Sequence, residues 1–250
     1  MTPTLREQST FPYWFAKIQQ LPDYAAIPYP ATIVLKLDAN IKKALWAALD
    51  GENPPSNLDL SKIHAALNVL KYPAFIRTEH GSGKHEFDRC CYIEKPEDLF
   101  NHLVALNEWS QLAQIMGLSF DYLIVREYLP PVHSFKAFLG LPIAKEYRVF
   151  VKDGKVVCKH FYWPEEAIEV FGDYILPGDW KEQLKSLDSL TPEEDHLLIT
   201  LAERFGSVLP GNWSVDFMKS ESGWVMIDAA RAEHSWHPDD CPRQLFWRDE

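Results

Sequence analysis

The sequence is short of cysteine, of long apolar runs and of basic charge, and each shortage narrows what the chain can be. Its cysteines, Cys90, Cys91, Cys158 and Cys241, number four in 250 residues and follow no framework spacing. A disulfide scaffold is therefore not expected, and reduced thiols are the simpler assumption. The adjacent pair Cys90-Cys91 reads as two strand residues rather than as a bridge. No apolar run approaches the length that crosses a bilayer, and the first ten residues lack the apolar stretch of a secretory signal, so the expected compartment is the cytoplasm. A net charge of −11 argues against broad, sequence-independent binding to nucleic acid, which needs a basic face to displace counterions. A local basic pocket is still allowed. No catalytic triad pattern, internal repeat or low-complexity segment is present.

What the chain does have is apolar content of 46% and aromatic content of 13%, enough for one large core or two small ones. Apolar patterning predicts strands over 32–37, 72–78 and 122–129, the last cut off by Pro130-Pro131. It predicts amphipathic helices from Pro96 to Gly117, with Leu99, Leu103 and Leu106 on one face, and over 192–205 with Thr191 as cap. Lys145–Val151 and Lys155–Phe161 read as the arms of a hairpin joined through Lys152-Asp-Gly154, a strong turn signal. Alternation there puts Glu146 and Arg148 on one face and Tyr147, Val149 and Val151 on the other. The mixture is α+β. The Pro-rich loop over 50–57 is the best internal boundary, giving an N-terminal subdomain over 1–72, complete or abbreviated, and a second region over 73–250. Acids at 94–98, 165–169 and 193–195 read as solvated helix starts.

A second hairpin carries the most chemistry. Trp213-Ser-Val-Asp-Phe217 and Trp224-Val-Met-Ile-Asp-Ala229 flank the turn-like Lys219-Ser-Glu-Ser-Gly223. A register centred on Ser222 sets Asp216 across from Asp228, with Val215, Phe217, Val225 and Ile227 on the opposite face. Two carboxylates so placed repel each other unless something positive lies between them. A divalent cation such as Mg2+, completed by substrate phosphates, is the usual resolution; a solvent-facing hairpin edge with two unrelated acids is the alternative.

Three other patterns are weaker. Gly81-Ser-Gly-Lys84 is followed by His85, and Thr78 stands where the first Walker glycine belongs, so this is not a P-loop. A glycine loop with a Lys can still fold over phosphates as a flap, and an ordinary loop is the other reading. Val151-Lys-Asp-Gly154 lacks the nucleophilic Lys of nucleic-acid ligases, because Val151 occupies its place. His234, His237 and Cys241 could serve zinc, but without a fourth partner a polar substrate-facing loop or simple packing is the better reading.

In order, a cationic strand residue (Arg77), a glycine-Lys loop (Lys84), an apolar strand ending in Arg126-Glu-Tyr-Leu129, a Glu-x-Arg hairpin and a paired-acid hairpin resemble the ATP-grasp superfamily over roughly residues 73–240. The resemblance implies two α+β subdomains with antiparallel sheets that clasp ATP. It implies that Glu127, Tyr128 and Leu129 form the hinge at adenine, that Arg77 and Lys84 meet the α- and β-phosphates, and that Glu146 and Arg148 line the phosphate end. Asp216 and Asp228 would bind Mg2+. Of these, Lys84 and Arg148 would act in catalysis, and Arg231, Glu233, His234 and His237 would face the acceptor. Phosphoryl transfer runs on positioning and charge neutralisation, so the missing triad is expected.

Two features depart from the family. The usual Glu-x-Asn metal motif is Asp228-Ala-Ala230 here, which makes one metal ion plausible, and the usual strand Lys is Arg77, a planar fork. With these features the chain looks most similar to the branch of translation-initiation-factor assembly chaperones and related microbial and phage ATP-grasp proteins. The implied activity is an ATP-dependent carboxylate–amine (or thiol) ligase working through an acyl phosphate, on a small-molecule, peptide or protein carboxylate and an amine. The alternative is an ATP-binding assembly factor that holds a protein partner without ligation, for which aromatics such as Trp163 and Trp236 could serve an interface. A third reading is a degenerate relative that turns over no nucleotide.

Overall fold

The computed structural model describes residues 5–169 and 175–243. In chain order the elements are α1 (Leu5–Gln8), α2 (Phe11–Ile18), β1 (Thr32–Lys36), α3 (Ala39–Leu49), α4 (Ser61–Leu70), β2 (Ala74–Thr78), α5 (Phe87–Cys90), β3 (Tyr92–Ile93), α6 (Leu99–Ile115) and β4 (Tyr122–Glu127). There follow β5 (His133–Ala137), β6 (Leu141–Ala144), β7 (Glu146–Lys152), β8 (Lys155–Phe161), α7 (Glu165–Glu169), α8 (Trp180–Leu187), α9 (Pro192–Val208), β9 (Asn212–Ser220) and β10 (Gly223–Arg231). Helices with antiparallel sheets make this an α+β fold. Two compact units divide the chain, one formed by Met1–Tyr29, Leu129–Ala137 and Pro142–Glu250, the other by Pro30–Tyr128 and Phe138–Leu141. The loop over 50–57 and residue 72 both lie inside the second of these. No helix among the described residues is long and apolar enough to cross a membrane.

In the unit that begins at Pro30, the sheet order is β1-β4-β2-β3. Its strands alternate cleanly. Ala74, Ile76, Leu123 and Val125 pack with Leu45, Leu67, Leu99, Leu103 and Leu106 into one buried cluster, so the face of α6 expected from the leucine spacing is the face that packs. The other sheet face carries Phe75, Arg77, Ile124 and Arg126, since Phe75 stands opposite Arg126 and Arg77 opposite Ile124. Gly117 follows α6 with φ +84°, a left-handed position that glycine takes without strain. Cys90 closes α5 and Cys91 follows it; both are buried, so the pair reads out as a helix end rather than as strand.

The larger unit is built on the order β10-β9-β7-β8. The β7–β8 turn places Asp153 at φ +46° and Gly154 at φ +79°, the two left-handed residues that a tight hairpin requires. Helix α9 lies so close over this turn that a Cβ on Gly206 would come within 2.7 Å of Gly154 Cα and of Val151 Cγ1. Trp14 of α2 meets Phe205 of α9 at 6.4 Å between ring centroids, and Phe205 meets Trp213 of β9 at 5.4 Å. Thr191 caps helix α9, as its sequence predicts, and Glu194 reaches back to complete a reciprocal capping box.

The acids that open α9 are not all solvated. Glu194 accepts from Lys145 Nζ at 2.9 Å, Lys219 Nζ at 3.0 Å and Trp224 Nε1 at 3.1 Å. Partial burial disfavours its charge, but the two lysines outweigh that and hold the carboxyl down at about 2. Strands β9 and β10 and the residue just before β7 are thereby tied to one helix start.

Candidate functional site

The paired-acid hairpin forms with Asp228 directly across from Asp216. Its register, however, changes along its length. Near the turn Gly223 pairs with Ser220 and Met226 with Phe217, then a bulge at Ile227 adds one residue to β10. The bulge brings Asp228 into phase with Asp216. Without it, Ile227 would face Asp216, and Asp228 would fall opposite Val215 on the core side. The register of the tip, ahead of the bulge, sets Val225 across from Met218, on the acid-bearing face instead of with Val215 and Phe217.

The neighbouring strand completes the face. In the register of β7 with β9, Arg148 lies opposite Asp216 and Glu146 opposite Met218. Arg148 Nε and Nη2 donate to the two oxygens of Asp216, each at 2.8 Å, a bidentate fork. Its Nη1 donates to the Trp236 carbonyl at 3.2 Å, and its guanidinium lies over the Tyr162 ring at 4.7 Å. Burial opposes the Arg148 charge, yet the Asp216 carboxylate more than offsets this and its pKa is raised. Asp228 Oδ1 accepts from its own neighbour, the Ala229 N–H, at 2.9 Å. Glu146 is buried.

Two carboxylates in register, with oxygen donors and no sulfur, fit a hard divalent cation. Exchange of Arg148 for such an ion at Asp216 would free the guanidinium fork for another anion.

The remaining expected residues divide between places. On the smaller unit, Arg77 is buried and its Nε donates to the Thr78 carbonyl at 3.2 Å. Arg126, also buried, donates from Nε to Thr32 Oγ1 at 3.2 Å. It shares the Arg77 face and was not among the residues expected at the site, although alternation along β4 marks it as the second cation there.

Tyr128 packs edge-on against Tyr92 at 4.9 Å, and Tyr92 stacks on Phe87 at 4.9 Å. Burial pushes the Tyr128 phenol up to about 12. Glu127 accepts from the Ala31 N–H at 3.2 Å.

The glycine loop is more built than an open flap. Thr78 Oγ1 accepts from the His80 and Gly81 N–H groups, and the buried Glu79 accepts from the Asp121 N–H at 2.8 Å. A Cβ on Gly81 would strike the Trp109 ring. Gly83, at φ +64°, turns the chain into the short helical turn that carries Lys84.

Of the acceptor candidates, Arg231 pairs with Trp213 across the ladder, which sets it on the face opposite the acids. There it bonds Glu233 at 3.1 Å and covers the Trp213 ring at 5.3 Å. His234 is exposed, whereas His237 is buried against Phe150 at 4.5 Å.

No protein-family model and no curated protein matches the chain in sequence. Solved structures do match in shape. Cdc123 from Schizosaccharomyces pombe matches with a TM-score of 0.58 at 13% identity, over 99% of this chain and 91% of that one. N5-carboxyaminoimidazole synthase from Aspergillus clavatus, in complex with ADP and 5-aminoimidazole ribonucleotide, matches at 0.50 with 10% identity, over 88% of this chain and 43% of that one. A RimK domain protein ATP-grasp from Sphaerobacter thermophilus is similar at 0.44 with 13% identity, over 91% of this chain and 60% of that one. The chain has the ATP-grasp fold. At these identities the likeness concerns the fold alone, and an ATP-grasp fold assigns no substrate.

Proposed function

We propose that the protein is an ATP-dependent carboxylate–amine (or thiol) ligase acting with Mg2+. One observation carries the reading: Asp216 and Asp228 stand in register on one sheet face with the Arg148 fork on Asp216. Bound there, Mg2+ would neutralise charge on the phosphate oxygens. The protein's own groups do the rest. Arg148, released from Asp216, holds the transferring phosphoryl group, and Glu146, on the same face of β7, belongs to the nucleotide site. Arg77 and Lys84 take the α- and β-phosphates, and Glu127, Tyr128 and Leu129 take the adenine. The carboxylate substrate receives the γ-phosphoryl group on an oxygen, and an amine then attacks the acyl carbon and expels phosphate. Of the segment assigned to the acceptor, the exposed His234 is the group left for it, since Arg231 lies on the face opposite the acids and bonds Glu233, and His237 is buried against Phe150. The ADP in the complex of the similarly folded synthase supports a nucleotide.

A second reading is an ATP-binding assembly factor that holds a protein partner. Coverage leaves room for it: the chain matches 43% of the synthase, so the likeness to the enzyme leaves more than half of it without a counterpart here.

Thermal unfolding with ATP and Mg2+ tests the shared premise. A ligand that binds only the native state adds about 2.7 kcal/mol at a hundredfold excess over its dissociation constant. A Mg2+-dependent shift supports the site, and its absence removes both readings. Phosphate release that requires an added carboxylate and amine then selects the ligase, while nucleotide binding without turnover until a protein partner is added selects the assembly factor.

A further inference from the structure

The acid-bearing face of the larger unit continues into a second cluster of a different chemistry. Beyond Arg148, which faces His160 across the β7–β8 ladder, Phe150 faces Cys158. Cys158 and His160 alternate on β8 and so share that face. The segment after β10 brings His237 and Cys241 to them. There the Cys241 N–H donates to the Pro238 carbonyl at 3.2 Å, closing a turn that sets residues 237 and 241 side by side. One ligand atom from each of Cys158, His160, His237 and Cys241 lies within 4.8 Å of all the others.

We propose that these four side chains bind a zinc ion with a structural role. Two thiolates and two imidazoles are the donor set that zinc takes in closed, four-coordinate sites, and sulfur makes the site a poor one for Mg2+. The Cys158 Sγ to His237 Nε2 distance is 3.2 Å. Around a tetrahedral ion with bonds of about 2.3 Å to sulfur and about 2.0 Å to nitrogen, it would be about 3.5 Å. His237 Nδ1 lies 3.1 Å from the Pro238 carbonyl. An N–H there, donated to the carbonyl, leaves the Nε2 lone pair aimed at the cluster, the usual support for a metal-bound imidazole.

An independent sign comes from His160, whose Nε2 is buried with no hydrogen-bond partner. A buried polar atom left so is costly, and a metal ion satisfies it. The Phe150 ring stands edge-on to both imidazoles, at 4.5 Å from His237 and 6.1 Å from His160, and shields them from water. All four ligands come from the protein, so no position is open for substrate. The ion's task is to fasten the 232–243 segment to β8. Because Trp236, whose carbonyl accepts from Arg148, is joined to His237, the ion also steadies the guanidinium that Asp216 engages.

The test begins with metal analysis of full-length protein prepared with Zn2+ and freed of loose ions. The expected content is one zinc per chain, falling by at least about tenfold in Cys241→Ser and in His160→Gln. Co2+ in place of Zn2+ should give the visible d–d bands of a four-coordinate ion together with thiolate-to-cobalt charge transfer. Where a variant fails to fold, the ligand exchange Cys241→His decides: it should retain the ion and weaken the charge-transfer band. Zinc content no higher in the wild type than in a folded Cys241→Ser, a six-coordinate cobalt spectrum, or a Cys158–Cys241 disulfide in freshly isolated native protein would overturn the proposal. None of these readings depends on nucleotide.

Discussion

Removing the charge of Asp216 should cost stability before any nucleotide is added. Asp216→Asn keeps the side-chain volume but leaves the Arg148 guanidinium, whose side chain is 12% exposed, without its carboxylate. Breaking a buried pair by removing one partner costs about 3–5 kcal/mol. The asparagine oxygen can still accept one hydrogen bond, and the Trp236 carbonyl and Tyr162 ring remain, so the expected loss is about 2–3 kcal/mol. For a chain of this size that lowers the unfolding midpoint by roughly 4–12 °C. Asp228→Asn stands outside the fork and should cost under about 1 kcal/mol. Both variants should lose the Mg2+-dependent part of the ATP-induced shift, since each removes one of the facing carboxylates. Paired thermal scans, with ATP alone and with ATP plus Mg2+, read both effects. Equal stability of the two variants without ligand would refute the Arg148 argument, and an unchanged Mg2+-dependent shift in either would remove that acid from the metal site.

Glu194→Gln should destabilise the protein at pH 7 and lose its effect in acid. The folded carboxyl lies at about 2, below its reference of 4.5, so its contribution is complete above pH 4.5 and disappears as pH falls to 2. Screening at this partly open site reduces the nominal 3 kcal/mol to about 1–2 kcal/mol; urea midpoints that differ from wild type equally at pH 7 and pH 3 would contradict this. Gly206→Ala should lower the urea midpoint by an amount worth about 1–2 kcal/mol, because the overpacking against Gly154 and Val151 exceeds the gain in helix propensity; a more stable variant would show that α9 can lift off the turn. Lys84→Ala should raise the dissociation constant for Mg-ATP roughly tenfold through one lost charge-assisted bond. Its midpoint should move by less than about 0.5 kcal/mol's worth, because Thr78, Glu79 and Trp109 hold the loop; an unfolded variant would make the lysine structural.

Features fixed by neighbouring residues were legible in the sequence. The β7–β8 turn, the Thr191 cap of α9, the leucine face of α6 and the acid hairpin all rest on residues close in the chain, where periodicity and turn chemistry decide. Features set by distant pairing were not. Nothing local in Trp224–Ala229 announces the bulge at Ile227, because an extra residue is defined only by the strand it pairs with. Cys158 and His160 could not be joined to His237 and Cys241 before β10, β9, β7 and β8 were set side by side. The β5–β6 ribbon was hidden behind Pro130-Pro131, and Glu194 looked solvated because its lysines lie on β9 and just before β7.

The extra residue in β10 has a consequence for how this hairpin tolerates change. It works as a one-tooth offset between two separately timed segments, the tip set by its two-residue loop and the base set by β7 through Arg148 and Asp216. Deleting Ile227 would straighten the strand and still leave the two acids opposed. A second residue inserted at the same point, in a ladder straightened in the same way, would slide Asp228 past Asp216 to face Ser214, still on the acid-bearing face but one pair out of step with its partner. Length changes of a single residue are therefore unequal in the two directions: the acids stay opposed when the hairpin shortens at that point and fall out of step when it lengthens.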